Sequence, residues 1–300
     1  YIIPSLGHLK LKDITPMHLQ KFIYNLSEEG IRRDGKYQPL SSISIRTYYS
    51  TLQSILRFAY RMGIIDSNPA TAQNLDLPKT TPPHTEVFDE KQIQKVLTLL
   101  EKEPIMWKTL IHLALCTGCR RGELAALQWE DILWKENKIK ITKSIYQTKG
   151  EIGIKLPKTK SSIRTVSVPA YLMDLLKQYK SYQSSQILCS PEKSNPENML
   201  FTNKKGTYIS PEVIYQWFQS FLNRNGLPKI KFHTLRHTSA TILLANGTNI
   251  KTVSSRLGHT NLTTTNRYVH ALNDADVSAA ELLGNKFENA KEGQEWDKAL

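Results

Sequence analysis

The chain has 300 residues and 40% apolar content, enough for two domains or one large one with a real hydrophobic core. Its formal net charge of +13 points to a polyanionic partner, because Lys and Arg side chains that neutralise phosphates release condensed counterions. No apolar run approaches the roughly 18 residues of a membrane span and no charged-then-apolar leader is read, so nucleic acid is favoured over a membrane surface. Three cysteines make no disulfide framework. Cys116 and Cys119 form a C-x-x-C behind an apolar helix with no second pair, which reads as packing, and a reducing cytoplasm is the expected compartment. The chain opens at Tyr1 in mid-pattern, as a fragment lacking its native N-terminus would.

Residues 1–75 are expected to be all-helical. Thr15-Pro16 opens one helix running to Leu26, and Ser41-Ser42 opens a longer one to Met62. In the second, Ile45, Tyr48, Leu52, Ile55, Leu56 and Ala59 recur at helical spacing and should face inward, leaving Arg46, Arg57 and Arg61 on other faces. There they either meet a DNA backbone or form a solvated basic face. Residues 76–86 hold three prolines and no periodicity, and read as an extended linker whose eleven residues span at most about 36 Å.

Beyond the linker, Asp89 to Leu100 and Trp107 to Cys116 read as helices, and Gly118 breaks the chain before a helix carrying Arg120, Arg121 and Glu123. After Asp131 the period changes to two. Lys138 to Tyr146, Gly150 to Leu156 and Ile163 to Val168 are expected to form one small antiparallel sheet, with Pro157 to Ser162 as a basic tip. Helices resume at Pro169 to Tyr182 and Glu212 to Asn225, separated by a polar loop near Ser184 to Asn198.

The stretch Phe232 to His270 carries the densest chemistry. If Thr234 to Ala245 is a helix with Leu235, Ile242, Leu243 and Leu244 inward, His233 and Arg236 share one face near its start. Asn246-Gly247 stops it, Thr248 or Asn249 caps a second helix through Arg256, and Gly258 ends that helix just before His259. Tyr268 follows after a Thr-rich turn. Taken alone, a His at a helix end is more often a cap or a solvated side chain, and a Tyr more often packing. His233 and His237 at i, i+4 resemble a zinc pair, but Arg236 between them and the lack of a carboxylate or cysteine cluster argue against it. Helix, Asn246-Gly247 turn, helix also fits a helix-turn-helix DNA-binding module without chemistry.

Thr117-Gly118-Cys119-Arg120-Arg121-Gly122-Glu123, the Lys158 hairpin, His233-Thr234-Leu235-Arg236-His237, Leu257-Gly258-His259 and Tyr268 nine residues later resemble, in order and spacing, the tyrosine recombinase (phage integrase) family. Within it, the wording is most like integrases of conjugative transposons and Gram-positive phages. Guanidiniums present fixed forks to the non-bridging oxygens of a pentacoordinate phosphate, so Arg120 and Arg236 read as the clamp. Two arginines can take the place of a metal, and neither metal nor cofactor is called for. Tyr268, with an ordinary pKa of about 10, needs that field and a nearby base to attack, and His233 is the candidate base. Glu123, one turn after Arg120, is the candidate support. Lys158 and Lys160, two apart, face alike on a strand; the place of Lys158 in Pro157-Lys158-Thr159 favours it, with Lys160 a DNA contact.

The resemblance implies a mainly α fold with a small antiparallel sheet: a helical core-site DNA-binding domain (1–75), the linker (76–86), a catalytic domain (87–272) and a tail (273–300). It implies that Lys158 protonates the leaving 5′-oxygen to give a 3′-phosphotyrosine and that His259 hydrogen-bonds the scissile phosphate. It also implies double-stranded DNA as partner, four protomers and two duplexes in a synapse, and accessory DNA-bending or excisionase proteins. The expected function is integration and excision of a mobile element. A type IB topoisomerase would share the tyrosine and arginines; the compact helical front domain and short linker favour a recombinase. In the tail, Val277, Ala280, Leu283 and Phe287 fall on one helical stripe, expected to dock on a neighbouring protomer or on its own domain.

Overall fold

Helix starts in this chain are set by side chains that accept the orphan N–H groups of a first turn. The computed structural model describes residues 1–71, 75–80, 87–148, 151–155, 163–189, 194–259, 261 and 265. After a short α1 (Ile2–Leu6) and a 3-10 turn (Leu11–Asp13), the Thr15 hydroxyl takes the His18 N–H at 3.4 Å, and α2 (Pro16–Leu26) follows. Ser41 takes the Ser44 N–H at 3.2 Å and opens α3 (Ser42–Arg61). Contacts divide the chain between His84 and Thr85 into two units.

In the first unit, Leu19, Phe22 and Leu26 of α2 pack with Ile45, Tyr49, Leu52, Leu56 and Ala59 of α3. This stripe differs from the sequence expectation at two places. Tyr49 rather than Tyr48 is fully buried, because its hydroxyl reaches the Ala70 carbonyl at 3.0 Å, and Ile55 stands 45% exposed. Part of the expected linker is fastened to this unit: the Asp76 N–H donates to Gln20 Oε1 at 2.7 Å and Arg46 Nε to the Pro78 carbonyl at 2.9 Å. Residues 81–86 lie outside the described residues.

In the second unit, Asp89 caps α4 (Glu90–Leu100) by taking the Gln92 N–H at 2.7 Å. The central helix α5 (Ile105–Thr117) is buried on most sides, and α7 (Ala170–Cys189) and α9 (Thr234–Ala245) pack on it. Helix α8 (Pro211–Arg224) adds Phe218 and Phe221, and its Trp217 stacks on Trp107 at 4.4 Å between ring centroids.

The alternating region forms two antiparallel sheets where one was expected. Strands β1 (Ile132–Leu133), β2 (Lys138–Ile141) and β5 (Arg164–Ser167) pair in the order β1-β2-β5, with Ile139 opposite both Ile132 and Val166. Strands β3 (Ser144–Thr148) and β4 (Glu151–Lys155) form a separate hairpin, Ile145 opposite Ile154. The expected strand Lys138 to Tyr146 breaks at Thr142 and Lys143. There Lys143 turns to hydrogen-bond Gln128 and approach Glu130 at 3.6 Å, and the chain changes partners from β5 to β4.

Helix α7 also runs past Tyr182, where a polar loop was expected. Gln183 is buried, accepting from Trp129 Nε1 at 2.7 Å and donating to the Leu200 carbonyl at 3.2 Å, while Ser185 returns its hydroxyl to the Tyr182 carbonyl. Polar side chains satisfied in this way do not end a helix. Among the described residues, no helix is long and apolar enough to cross a membrane.

Candidate active site

The site is assembled where α5 ends. Gly118 adopts a left-handed conformation (φ 62°) and its N–H returns to the Ala114 carbonyl at 3.0 Å, a helix stop that a side chain would strain. A Cβ there would also stand 2.4 Å from Leu257 Cδ2. The chain reverses through buried Cys119 and delivers Arg120 as the residue before α6 (Arg121–Ala125). Gly122 lets α6 lie directly on β3: a Cβ at that position would meet the Ile145 carbonyl oxygen at 2.4 Å.

Glu123 binds both ends of Arg120. Its Oε2 accepts the Arg120 backbone N–H at 2.9 Å and its Oε1 accepts from Arg120 Nη1 at 2.8 Å. A second guanidinium, Arg164 Nη2, donates to Glu123 Oε2 at 2.8 Å, both side chains being almost wholly buried. Burial works to raise the Glu123 carboxyl, but the Arg164 hydrogen bond and charge, together with Arg120, outweigh it and hold the group below the ordinary carboxylate range.

Arg236 comes from the first turn of α9 and is 1% exposed; its Nη1 donates to the Gly118 carbonyl at 2.8 Å. On α9, Leu235 is buried and Leu243 and Leu244 pack partly buried with Ala240, as expected, but Arg236, Thr238 and Ser239 are buried as well and Ile242 points outward, 39% exposed. Polar groups are accommodated there because they find partners; Thr238 Oγ1 accepts the Phe88 N–H at 3.3 Å. Asn249 caps α10 (Ile250–Leu257) by accepting the Lys251 N–H at 2.8 Å, and Val253 and Leu257 pack with Ala240. Gly258 is left-handed (φ 69°), the His259 N–H returns to the Ser254 carbonyl at 3.0 Å, and His259 Nδ1 lies 2.8 Å from the hydroxyl of buried Thr265. The imidazole is thereby held at a fixed helix end.

Both histidines feel the arginines. Desolvation first, then His237, Arg236 and Arg120, hold His233 at about 4, against an ordinary 6.5. Desolvation, then Arg236, Arg120 and Arg164, hold His259 at about 4. Both imidazoles are therefore neutral at pH 7. Between about pH 6.5 and 4 the unfolded chain binds protons that the folded chain refuses, so stability is expected to be full above 6.5 and to fall as pH drops through that window. Melting midpoints measured from pH 7.5 to 4.5 check this. A double variant with His233→Asn and His259→Asn should show a shallower acid-side decline than the wild type, and identical slopes would contradict the assignment.

The structure thus brings together Arg120, Glu123, His233, Arg236 and His259 from three separated stretches. Arg120 and His233 line a cleft of about 850 Å³ with Arg121, Tyr146, Lys155 and Tyr215. Lys158, Lys160, Tyr268 and the tail helix lie outside the described residues. Arg46, Arg57 and Arg61 belong to the first unit, where Arg57 and Arg61 are exposed and Arg46 is tied to Pro78. Among the described residues, no group of three or more His, Cys, Asp or Glu side chains converges as metal ligands would. Cys116 and Cys119 carry free thiols; burial pushes Cys119 up to about 11, that of an unreactive packed group.

Sequence reasoning missed Arg164. The signal was present: on a strand with alternating sides, Arg164 falls on the face of Val166 and Val168, and a cation on an apolar face needs a buried partner.

The phage integrase family matches residues 86–274, and its SAM-like domain matches residues 5–75. The chain is 30% identical over 296 residues to a XerC-like tyrosine recombinase of Caldanaerobacter subterraneus subsp. tengcongensis, covering 93% of this chain and 73% of that protein. It is 27% identical to the ICEBs1 integrase of Bacillus subtilis, covering 85% and 66%. In fold it is similar to the Tn1549 transposon integrase in complex with transposon right end DNA (TM-score 0.77, 21% identity, 93% and 88% covered). It is also similar to a lambda integrase dimer bound to a core site (TM-score 0.61, 20% identity, 100% and 88% covered).

Proposed function

The chain belongs to the phage integrase family, and from that premise we propose that it breaks and rejoins DNA strands through a 3′-phosphotyrosine, integrating and excising a mobile element. It is a tyrosine-type site-specific DNA recombinase. The observation that carries the reading is that Arg120 and Arg236 lie near enough to His233 and His259 to act on both imidazoles, which burial first and those cations second keep neutral.

In this reading Arg120 and Arg236 meet the non-bridging oxygens of the scissile phosphate and neutralise the charge that grows there. The Tyr268 oxygen attacks phosphorus and its proton passes to neutral His233. The phosphorus–5′-oxygen bond breaks and the departing oxygen takes a proton from Lys158, with Lys160 as its competitor for that role. His259 donates to the phosphate, Glu123 supports Arg120, and Arg46, Arg57, Arg61 and Lys160 contact the DNA backbone. A 5′-hydroxyl of a second strand then attacks the phosphotyrosine, giving its proton to Lys158 while His233 returns one to the leaving tyrosine oxygen, so the phosphodiester is conserved without ATP.

A helix-turn-helix module without chemistry is disfavoured by α10, the second helix of the pair and the one that would enter a groove. Its Arg256 is turned onto the Cys116 and Ser167 carbonyls of its own domain. We assign the helical front unit to core-site DNA and the second unit to catalysis, with the stretch near residues 76–86 between them. The active assembly is a homo-oligomer on double-stranded DNA, four protomers in the synapse. The tail helix docks in trans, accessory DNA-bending or excisionase proteins set direction, and the reaction takes place in the bacterial cytoplasm. A nicked suicide duplex, its core site selected by binding from a randomised pool, tests the chemistry. A covalent adduct whose DNA-linked peptide contains Tyr268, transferred to a second duplex bearing a free 5′-hydroxyl, is the expected result. Relaxation of supercoils without transfer would make the chain a topoisomerase, and binding without adduct would remove the catalytic reading.

A further inference from the structure

Arg164 has no role in the chemistry described so far, yet its side chain is only 5% exposed. It meets two separate stretches of chain, 119–123 and Arg256. Nη2 donates to Glu123 Oε2 at 2.8 Å, Nε donates to the main-chain carbonyl of Arg256 at 2.8 Å, and the guanidinium passes 3.9 Å from Cys119 Sγ. Arg256 answers from α10: its Nη2 donates to the Cys116 carbonyl at 2.6 Å and the Ser167 carbonyl at 2.8 Å. Helix α10 is thus fastened to both ends of β5, at Arg164 and at Ser167. Arg164 is six residues after Lys158 in sequence, and His259 is three after Arg256.

A buried guanidinium–carboxylate pair adds little stability over apolar packing of the same volume, so its value lies in what it orders. We infer that Arg164 is a positioning residue for strand cleavage, acting through Glu123 on Arg120 and through the Arg256 carbonyl on His259. The inference rests on the recombinase reading above. The electrostatic reason is simple. Glu123 alone would cancel the charge of Arg120 and draw both of its guanidinium edges inward; Arg164 takes up that negative charge, so Arg120 keeps a net positive field for a phosphate. The geometric reason is that one guanidinium, Arg164, holds both Glu123, which binds Arg120, and the Arg256 carbonyl, three residues before His259.

Single-turnover cleavage of the nicked suicide duplex tests this with a double-mutant cycle. Arg164→Met should slow adduct formation about 100-fold, the scale of losing one transition-state donor, with DNA affinity within about twofold of wild type. With Arg120→Ala already in place, the same change should cost about tenfold or less, because one of its two targets is gone and only the route to His259 remains. Removing Arg164 alone strands a buried carboxylate and can unfold the unit, so Glu123→Gln with Arg164→Met provides a charge-balanced partner. That variant should melt near the wild type and cleave at least about tenfold more slowly, and adding Arg120→Ala to it should cost less than in the wild type. Equal losses in both backgrounds, or wild-type cleavage by the charge-balanced variant, overturn the inference and leave Arg164 a scaffold residue. Absence of any adduct from the wild-type chain overturns the recombinase reading itself, and this inference with it.

Discussion

Tyr268→Phe is expected to bind core-site DNA with wild-type affinity and to form no covalent adduct at all. The substitution removes one oxygen and preserves the ring, so the packing of residues around it and the basic surfaces that meet phosphate stay as they are. Chemistry loses its only attacking atom, and no neighbouring group substitutes at a phosphodiester: nucleophile removal in covalent enzymes costs about 10⁶-fold in turnover. Gel-shift titration against denaturing-gel adduct yield separates the two effects. Adduct at wild-type yield would move the nucleophile elsewhere and reopen the reading of this chain as a binding module.

Arg236→Ala should slow single-turnover cleavage by about 10² to 10³-fold. Its guanidinium is 1% exposed and anchored to the Gly118 carbonyl, so it is presented rigidly and loses little freedom when a phosphate arrives. The same burial means that truncation also leaves a void and an unpaired carbonyl between α5 and α9. Rates therefore have to be normalised to DNA-bound protein, and Arg236→Lys serves as the companion: it keeps charge and most of the volume but loses the planar fork. The expected order is wild type, then Lys, then Ala. Wild-type cleavage by the Ala variant would show the clamp assignment to be wrong.

Much of the fold was legible because caps and stops are local chemistry. Thr15, Ser41, Asp89 and Asn249 each accept an N–H of the turn they open, and Gly118 and Gly258 each close a helix with positive φ. What escaped depended on partners distant in sequence. The break at Lys143 is set by Gln128 and by which strand each half pairs with. The extra turns of α7 depend on the bond between Gln183 and Trp129. The burial of Arg236 and Thr238 on α9 depends on the Gly118 carbonyl and the Phe88 N–H, both more than a hundred residues away in sequence. In the site, Arg120, Glu123, Arg236 and His259 were visible as motif members, whereas Arg164 stands alone in its strand and acquires meaning only beside Glu123.

Glu123 closes the first turn of α6, orients Arg120 and neutralises Arg164 with the same two oxygens. One codon therefore governs a helix start, a clamp and a strand junction, and drift at that position strikes all three at once. On the proposed reading, descendants of such a gene that lose cutting but keep a use for DNA binding have a gentler route through Tyr268, where a single base change, from a tyrosine to a phenylalanine codon, is expected to stop the chemistry without touching the Glu123 junction.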